Sequence, residues 1–163
     1  MTSPADDIEV SSPACSMHLV DDTFMGYASR EEILAFLNLL LEAERAGARV
    51  TLATAEAAGD AEAAALMRDI HRDEARWCAM LSGAIKALDG APSTRTGAFH
   101  DKTMAIADLG ERIAFISRGQ GWVVRKLREM MPRIRDDRLH AQLAEMAQSH
   151  QDNIVRAGGE AEG

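Results

Sequence analysis

Four polar residues interrupt otherwise apolar helical stripes, and these are the side chains that could do chemistry. They are Glu44, Glu74, Gln120 and His150. Each stands where a helical repeat of about 3.6 residues places a core side chain. A buried ionised carboxylate is costly unless it is paired, hydrogen-bonded or bound to a metal. Because carboxylate and imidazole groups are ligands for divalent transition metals, the pattern predicts a buried polar layer that could hold a metal ion.

Two interpretations of this layer remain open. In the first, the two acids and His150 bind a divalent metal. His71, one turn before Glu74, is then a further ligand or a group that orients Glu74. In the second interpretation no metal is present. A protonated His150 then pairs with one of the acids, and Gln120 completes a network of hydrogen bonds.

Four long amphipathic helices must position these residues. A capping box at Ser29 predicts the start of the first helix, which continues to about residue 58. Asp60 caps the second helix, which continues to about residue 88, and the short turn between the two makes them antiparallel neighbours. Asp108 begins the third helix, Pro132 disrupts its end, and the fourth helix continues to about residue 157.

A connection of about twenty residues joins the two helical hairpins, with one short helix expected over residues 100–106. The second helix is about 45 Å long at about 1.5 Å per residue. A connection of this length can return along it, so the third helix runs parallel to the second. The two acids lie equally far from the first turn, and Gln120 and His150 lie equally far from the second. All four side chains should then meet at one height in the bundle.

Composition narrows the class of protein. The chain has 163 residues and few aromatic residues (4%), which favours an all-helical domain with a substantial core. Its formal net charge of −8 argues against nucleic acid or an anionic membrane as the main partner. No apolar run approaches the roughly 20 residues of a membrane span. The acidic amino terminus lacks the pattern of a secretory signal, so a cytoplasmic location is expected.

The two ends of the chain and its two cysteines give further predictions. Residues 1–28 are interpreted as a tail and a surface strap, and residues 158–163 as a flexible tail. Cys15 and His18 have a C-x-x-H spacing that could hold a metal. Cys78 is interpreted as a small buried hydrophobe and not as a redox thiol.

Two of the long helices have a second apolar face. The residues concerned are Leu39, Ala43, Ala46 and Val50 in the first helix and Phe115 and Trp122 in the third. Helices that are apolar on two sides need another element to cover them, which predicts a homodimer. The amino-terminal strap is the competing cover.

Residues 29–157 resemble the ferritin-like superfamily, which includes rubrerythrin and related di-iron carboxylate proteins. That family carries the pattern Glu, Glu-x-x-His, Glu, Glu-x-x-His on two helical hairpins joined by a crossover. The segments LNLLLEAERAGARV, HRDEARWCAML and SHQDNI are also similar to those of small bacterial ferritin-like proteins. The resemblance implies an all-α, ferritin-like four-helix bundle, with two antiparallel hairpins joined by a long crossover.

The chain keeps three of the six metal ligands of that family. Glu44 matches the first acid, Glu74 matches the Glu of the first Glu-x-x-His pair, and His150 matches the His of the last pair. The departures are Trp77 for the first His, Gln120 for the third acid and Ala147 for the last Glu. This ligand set favours a single iron or manganese ion, or no metal, over a full two-iron centre. Gln120 and Trp77 would then surround the ion without binding it.

These considerations predict a ferritin-like protein with a degenerate non-haem metal-carboxylate centre. The expected chemistry is iron handling or an oxygen- or peroxide-linked redox reaction, and whether the chain is an oxidoreductase is left open. The alternative belongs to a different class of protein. It is a metal-free helical module that uses the same fold for dimerisation or for binding a partner.

Overall fold

The computed structural model describes residues 23–159, which form an all-α fold and confirm that part of the expectation. Four long helices and one short helix make up these residues. They are α1 (Arg30–Ala57), α2 (Ala61–Ala87), α3 (Phe99–Met104), α4 (Leu109–Met130) and α5 (Asp137–Arg156). A 3₁₀ turn over Met131–Arg133 follows α4, at the position where Pro132 stops the helix.

Side-chain caps fix where the long helices begin. The Ser29 hydroxyl accepts a hydrogen bond from the Glu32 N–H at 3.2 Å, and the Glu32 carboxylate accepts one from the Ser29 N–H at 2.8 Å. This is the predicted capping box. Aspartate carboxylates cap the other three long helices, namely Asp60 for α2, Asp108 for α4 and Asp136 for α5. Each cap satisfies backbone N–H groups of a first helical turn that have no partner within the helix.

Contacts between helix ends give the directions of the helices. The Arg30 side chain, at the start of α1, donates from Nε to the carbonyl oxygen of Leu88, just after α2, at 2.9 Å. Near the same end of α1, Glu32 accepts from Arg133, just after α4, at 2.8 Å. The helix α1 is therefore antiparallel to both α2 and α4. It follows that α2 and α4 run parallel to each other.

Each long helix contributes buried apolar side chains to one main core. They include Leu37, Leu40, Trp77, Leu81, Leu127, Leu143 and Met146. Full burial of such a side chain stabilises a fold by about 1.5–3 kcal/mol. A second, smaller cluster contains Val50, Met67, Ile70 and Ile116. The core is thus divided into two apolar parts along the helices.

The connection between α2 and α4 lies along α1. The side-chain Oδ1 of Asn38 accepts from the Ser93 N–H at 2.7 Å, and Arg45 donates from Nη2 to the backbone carbonyl oxygen of Ser93 at 2.7 Å. Further along, Phe99 of α3 stacks on Phe115 of α4, with ring centroids 5.2 Å apart. The connection and α3 therefore cover part of the second apolar face. This cover differs from the two that the sequence predicted, a second copy of the chain and the amino-terminal strap.

Only the last residues of the predicted strap are described. The Ala28 N–H donates to the Arg133 carbonyl oxygen at 2.9 Å, which joins this segment to the end of α4. Phe24, by contrast, is 84% exposed. Cys15 and His18 lie outside the described residues, and so do residues 160–163. Within residues 23–159, none of the helices combines the length and the apolar character needed to span a membrane.

Candidate metal centre

Three ionisable side chains from three helices meet between the two apolar clusters. Glu44 lies on α1, Glu74 on α2 and His150 on α5, and all three are buried, with 0%, 3% and 1% exposure respectively. Each offers one ligand atom, and these atoms lie within 4.8 Å of one another. Gln120 of α4 joins them, because its Nε2 donates to Glu74 Oε1. The structure therefore brings together the four residues of the predicted layer.

His150 presents a nitrogen lone pair to this group. Its Nδ1 lies 3.0 Å from the carbonyl oxygen of Met146, one turn earlier in α5. A carbonyl oxygen can only accept, so Nδ1 carries the proton and donates it. Burial lowers the pKa of His150, which favours the neutral imidazole. Its Nε2 lone pair then faces Glu44 Oε1 at 3.1 Å. Two acceptors at this distance need a shared proton or a metal ion.

Burial also changes the acidity of the two carboxyl groups. Removal from water raises the pKa of Glu44 to about 7. It raises the pKa of Glu74 well above its ordinary value, and the negative charge of Glu44 raises it further. The hydrogen bond from Gln120 opposes this rise. A bound divalent cation would instead lower the pKa of both carboxyl groups, because its charge favours ionised carboxylates.

Buried atoms without a hydrogen-bond partner test whether the site fits a metal. Among residues 23–159 there are three such side-chain atoms: Glu44 Oε2, Gln120 Oε1 and Trp77 Nε1. An unsatisfied buried polar group costs about 1–3 kcal/mol. Glu44 Oε2 belongs to the site itself and is an acceptor, so a metal ion would satisfy it. The donor set therefore fits a single divalent ion held by two carboxylates and one imidazole.

Gly47 makes room for the Glu74 carboxylate. A Cβ atom at this position of α1 would lie 2.6 Å from Glu74 Oε2 and 2.7 Å from its Cδ. Such distances are too short, so the Glu74 carboxylate can hold its present position only because residue 47 has no side chain. Helical periodicity alone does not predict this role. The available signal was a glycine inside a long helix, where it costs roughly 1 kcal/mol relative to alanine.

We expect Gly47→Ala to displace the Glu74 carboxylate and to weaken metal binding by roughly 10- to 100-fold, the range seen when the support of a metal ligand is disturbed. Gly83→Ala is the matched control, because a Cβ there meets no atom within 4 Å. Titration of each protein with Mn²⁺ against a chromophoric chelator measures the affinity. Equal affinities in the two variants would contradict the role given to Gly47.

The structure does not bring His71 into the group. This histidine is half-buried, and its Nδ1 donates to the carbonyl oxygen of Ala48 at 2.7 Å. Its position one turn before Glu74 places it on the flank of the stripe, where it joins α2 to α1. Trp77 is buried in the main core, and the Arg76 guanidinium lies 4.1 Å from the centre of its ring. Within the described residues, neither His71 nor Trp77 has a hydrogen bond to the two acids.

Cys78 lies near the acids but has no sign of redox activation. It is half-buried and packs against the main core. Burial raises the pKa of its thiol to about 12, and the charges of Glu44 and Glu74 act in the same direction. A thiol with this pKa stays protonated near neutral pH and is a poor nucleophile. This agrees with its interpretation as a small buried hydrophobe.

A cavity of about 390 Å³ opens beside the group. It lies between α1, α3 and α4, and Glu44, Glu74 and Gln120 form part of its wall. Most of the remaining wall is apolar, and Lys102 and Arg118 are exposed at its solvent side. The candidate centre is therefore accessible to a small molecule without unfolding of the bundle.

A family model described as a domain of unknown function (DUF6306) matches residues 31–160. No curated protein and no solved structure matches the chain. The matched range contains the three residues of the candidate centre. These comparisons assign no activity, and they do not connect the chain to the ferritin-like superfamily.

Proposed function

This chain belongs to the DUF6306 family, and we propose that it is a metal-binding protein that holds one iron or manganese ion on Glu44, Glu74 and His150. One observation carries the proposal. The neutral His150 directs its Nε2 lone pair at Glu44 Oε1, while Glu44 Oε2 is buried with no donor beside it other than the Glu74 carboxyl. The Nδ1–H of a metal-binding histidine commonly donates to a backbone carbonyl, as His150 does to Met146.

Charge supports a divalent ion at this position. Two carboxylates and one divalent cation sum to zero, whereas two ionised acids alone leave a net negative charge away from water. Oxygen and imidazole ligands suit iron and manganese. Three protein ligands would leave coordination positions open, and an ion of this kind supplies the chemistry of oxygen or peroxide activation when it is bound. The apolar clusters on either side leave the cavity as the approach to the centre.

The same proposal includes a ferritin-like bundle with a reduced ligand set. Its support is the arrangement of two helical hairpins joined by a long connection, with α2 parallel to α4 and one polar residue of the layer on each long helix. Trp77, Gln120 and Ala147 replace three ligands expected for a two-iron centre. A single ion therefore suits this chain better than a pair.

Metal analysis tests the proposal directly. Protein purified from cells supplemented with iron and manganese should contain close to one of these ions per chain, measured by mass spectrometry of the elements. A His71→Ala variant is the matched control and should keep its metal, because His71 bonds to the Ala48 carbonyl outside the group. Substoichiometric metal that does not change in Glu44→Ala and His150→Ala variants would exclude the centre.

A second candidate function is a metal-free helical module that forms homodimers. Leu39 supports it, because this apolar side chain on α1 remains 44% exposed. In that case a protonated Glu44 donates to His150 Nε2 and the polar layer is only structural. A homodimer is also our proposal for the metal-bound protein. Metal content therefore separates the two functions, and the oligomeric state does not.

A further inference from the structure

We infer that the cavity beside the metal centre binds a small aromatic acid. The carboxylate of this acid lies near Lys102 and Arg118, and its ring enters the apolar part of the cavity toward Gln120. Binding of the acid does not require the proposed metal centre. Recognition of the acid depends on the cavity itself.

The size and walls of the cavity suit one aromatic ring. Its volume of about 390 Å³ lies within the range of roughly 300–1,000 Å³ that is usual for small-molecule sites. Phe99, Phe115 and Trp122 form part of its wall. Aromatic side chains favour contact with another ring in offset or edge-to-face geometry. The aromatic wall depends on Gly119, because a Cβ there would lie 2.6 Å from the Phe99 ring.

The charges at the solvent side favour an anion. Lys102 and Arg118 are exposed there, and within residues 23–159 neither takes part in an ion pair. Glu42 is the one acid in the wall of the cavity that does not belong to the metal centre. Its carboxylate already accepts from the Ser93 hydroxyl at 2.5 Å and pairs with Arg95 at 3.2 Å. The two remaining cations therefore give this side of the cavity a positive charge.

The inner end of the cavity favours a hydroxyl group on the ring. Gln120 is 5% exposed and lines the cavity, and its Oε1 has no hydrogen-bond partner among the described residues. Its Nε2 is occupied, because it donates to Glu74. A ring hydroxyl that donates to Gln120 Oε1 would satisfy this buried acceptor. It would also lie beside the Glu44 and Glu74 carboxylates that form the metal centre.

The test is a calorimetric titration of the full chain, in chelator-treated and in Mn²⁺-loaded form, with three matched probes. We expect 3-(4-hydroxyphenyl)propionate to bind both forms with a Kd on the order of 100 µM. The alcohol 3-(4-hydroxyphenyl)propan-1-ol lacks the charge, and 3-phenylpropionate lacks the hydroxyl. Each should bind about 10-fold more weakly. Failure of the first probe to bind either form, or equal binding of the uncharged alcohol, would overturn the inference.

Two pairs of substitutions locate the binding site. The variant with Lys102→Gln and Arg118→Gln should weaken binding of the acid by about 10-fold and leave binding of the alcohol unchanged. The matched control carries Arg68→Gln and Lys86→Gln, at two exposed positions outside the cavity, and should bind as the unaltered chain does. An unchanged affinity in the first variant, or an equal loss in both, would overturn the inference.

The two proposals fail separately. If the chelator-treated protein binds the acid as expected but no metal binds at Glu44, Glu74 and His150, the proposed function fails and the cavity site stands. If Mn²⁺ binds but neither form binds the acid, the cavity site fails alone.

Discussion

Replacing Glu44 by glutamine should remove metal binding and, at pH 8, make the metal-free protein more stable. Glutamine has the shape of glutamate but no charge, so the site loses a ligand, and affinity for Mn²⁺ should fall by roughly 100-fold or more. The amide of the new side chain can donate to His150 Nε2, which lies 3.1 Å from the present Glu44 Oε1. The unpaired charge disappears from the core at the same time.

The size of this stabilisation follows from the acidity of Glu44. Because burial raises its pKa to about 7, the carboxyl is ionised at pH 8 at an unfavourable position. Removal of that charge should increase the free energy of unfolding by about 1–3 kcal/mol. Urea unfolding in the presence of a chelator, followed by circular dichroism, measures the change. A loss of stability instead would mean that His150 is an imidazolium paired with Glu44.

Glu42→Gln provides the control for this experiment. Glu42 stands two residues away on the same helix, but it pairs with Ser93 and Arg95 outside the core. These partners lower the pKa of Glu42, which means that they stabilise its ionised form. Its replacement should therefore reduce stability slightly and leave metal affinity unchanged. The opposite signs of the two glutamine variants distinguish a functional buried acid from a structural surface one.

The metal-free protein should also lose stability as the pH rises from about 5 to about 8. The folded-state pKa of Glu44 is about 7, above its ordinary value of 4.5. The folded protein therefore binds more protons than the unfolded chain between these values, and the free energy of unfolding falls as pH rises. For Glu44 alone the loss is on the order of 3 kcal/mol. Glu74 adds to it in the same direction, because its pKa is raised as well.

His150 works against this trend in the acidic range. Burial lowers its pKa below 6.5, so the unfolded chain binds the additional proton there and stability rises with pH up to that value. The net loss should consequently be clearest between about pH 6.5 and 8. Melting temperatures measured across this range in chelator give the slope. Bound Mn²⁺ should reverse it, since metal ligands must be deprotonated. A slope that neither Mn²⁺ nor Glu44→Gln changes would contradict the assignment.

Helical periodicity was sufficient to predict the long helices and the meeting of Glu44, Glu74 and His150. Capping residues such as Ser29 and Asp60 give local signals for helix starts. A polar residue within an apolar stripe must point into the core once the stripe does. Equal distances from a turn then place two residues at one height. Helix starts, buried positions and heights in the bundle all follow from residues close together in the chain. They could therefore be predicted from the sequence.

Other features depend on contacts between distant segments and were missed. No sequence signal fixes the path of residues 88–108 along the bundle. The packing of α3 over α1 and the cavity beneath it could therefore not be predicted. The role of Gly47 depends on its approach to Glu74 across two helices. The position of His71 one turn before Glu74 predicted a ligand. The two side chains differ in direction around α2 by about 300° over three residues, and His71 therefore reaches the Ala48 carbonyl instead.

The three side chains of the candidate centre come from separate helices. This limits when the centre can form during folding. Glu44 and Glu74 belong to the first hairpin, and His150 belongs to the second. The complete set cannot exist until the hairpins have docked, so an ion would be captured late in folding. An ion held by both hairpins must be released before they can separate, which opposes unfolding. A bound ion would therefore lower the unfolding rate of the folded protein.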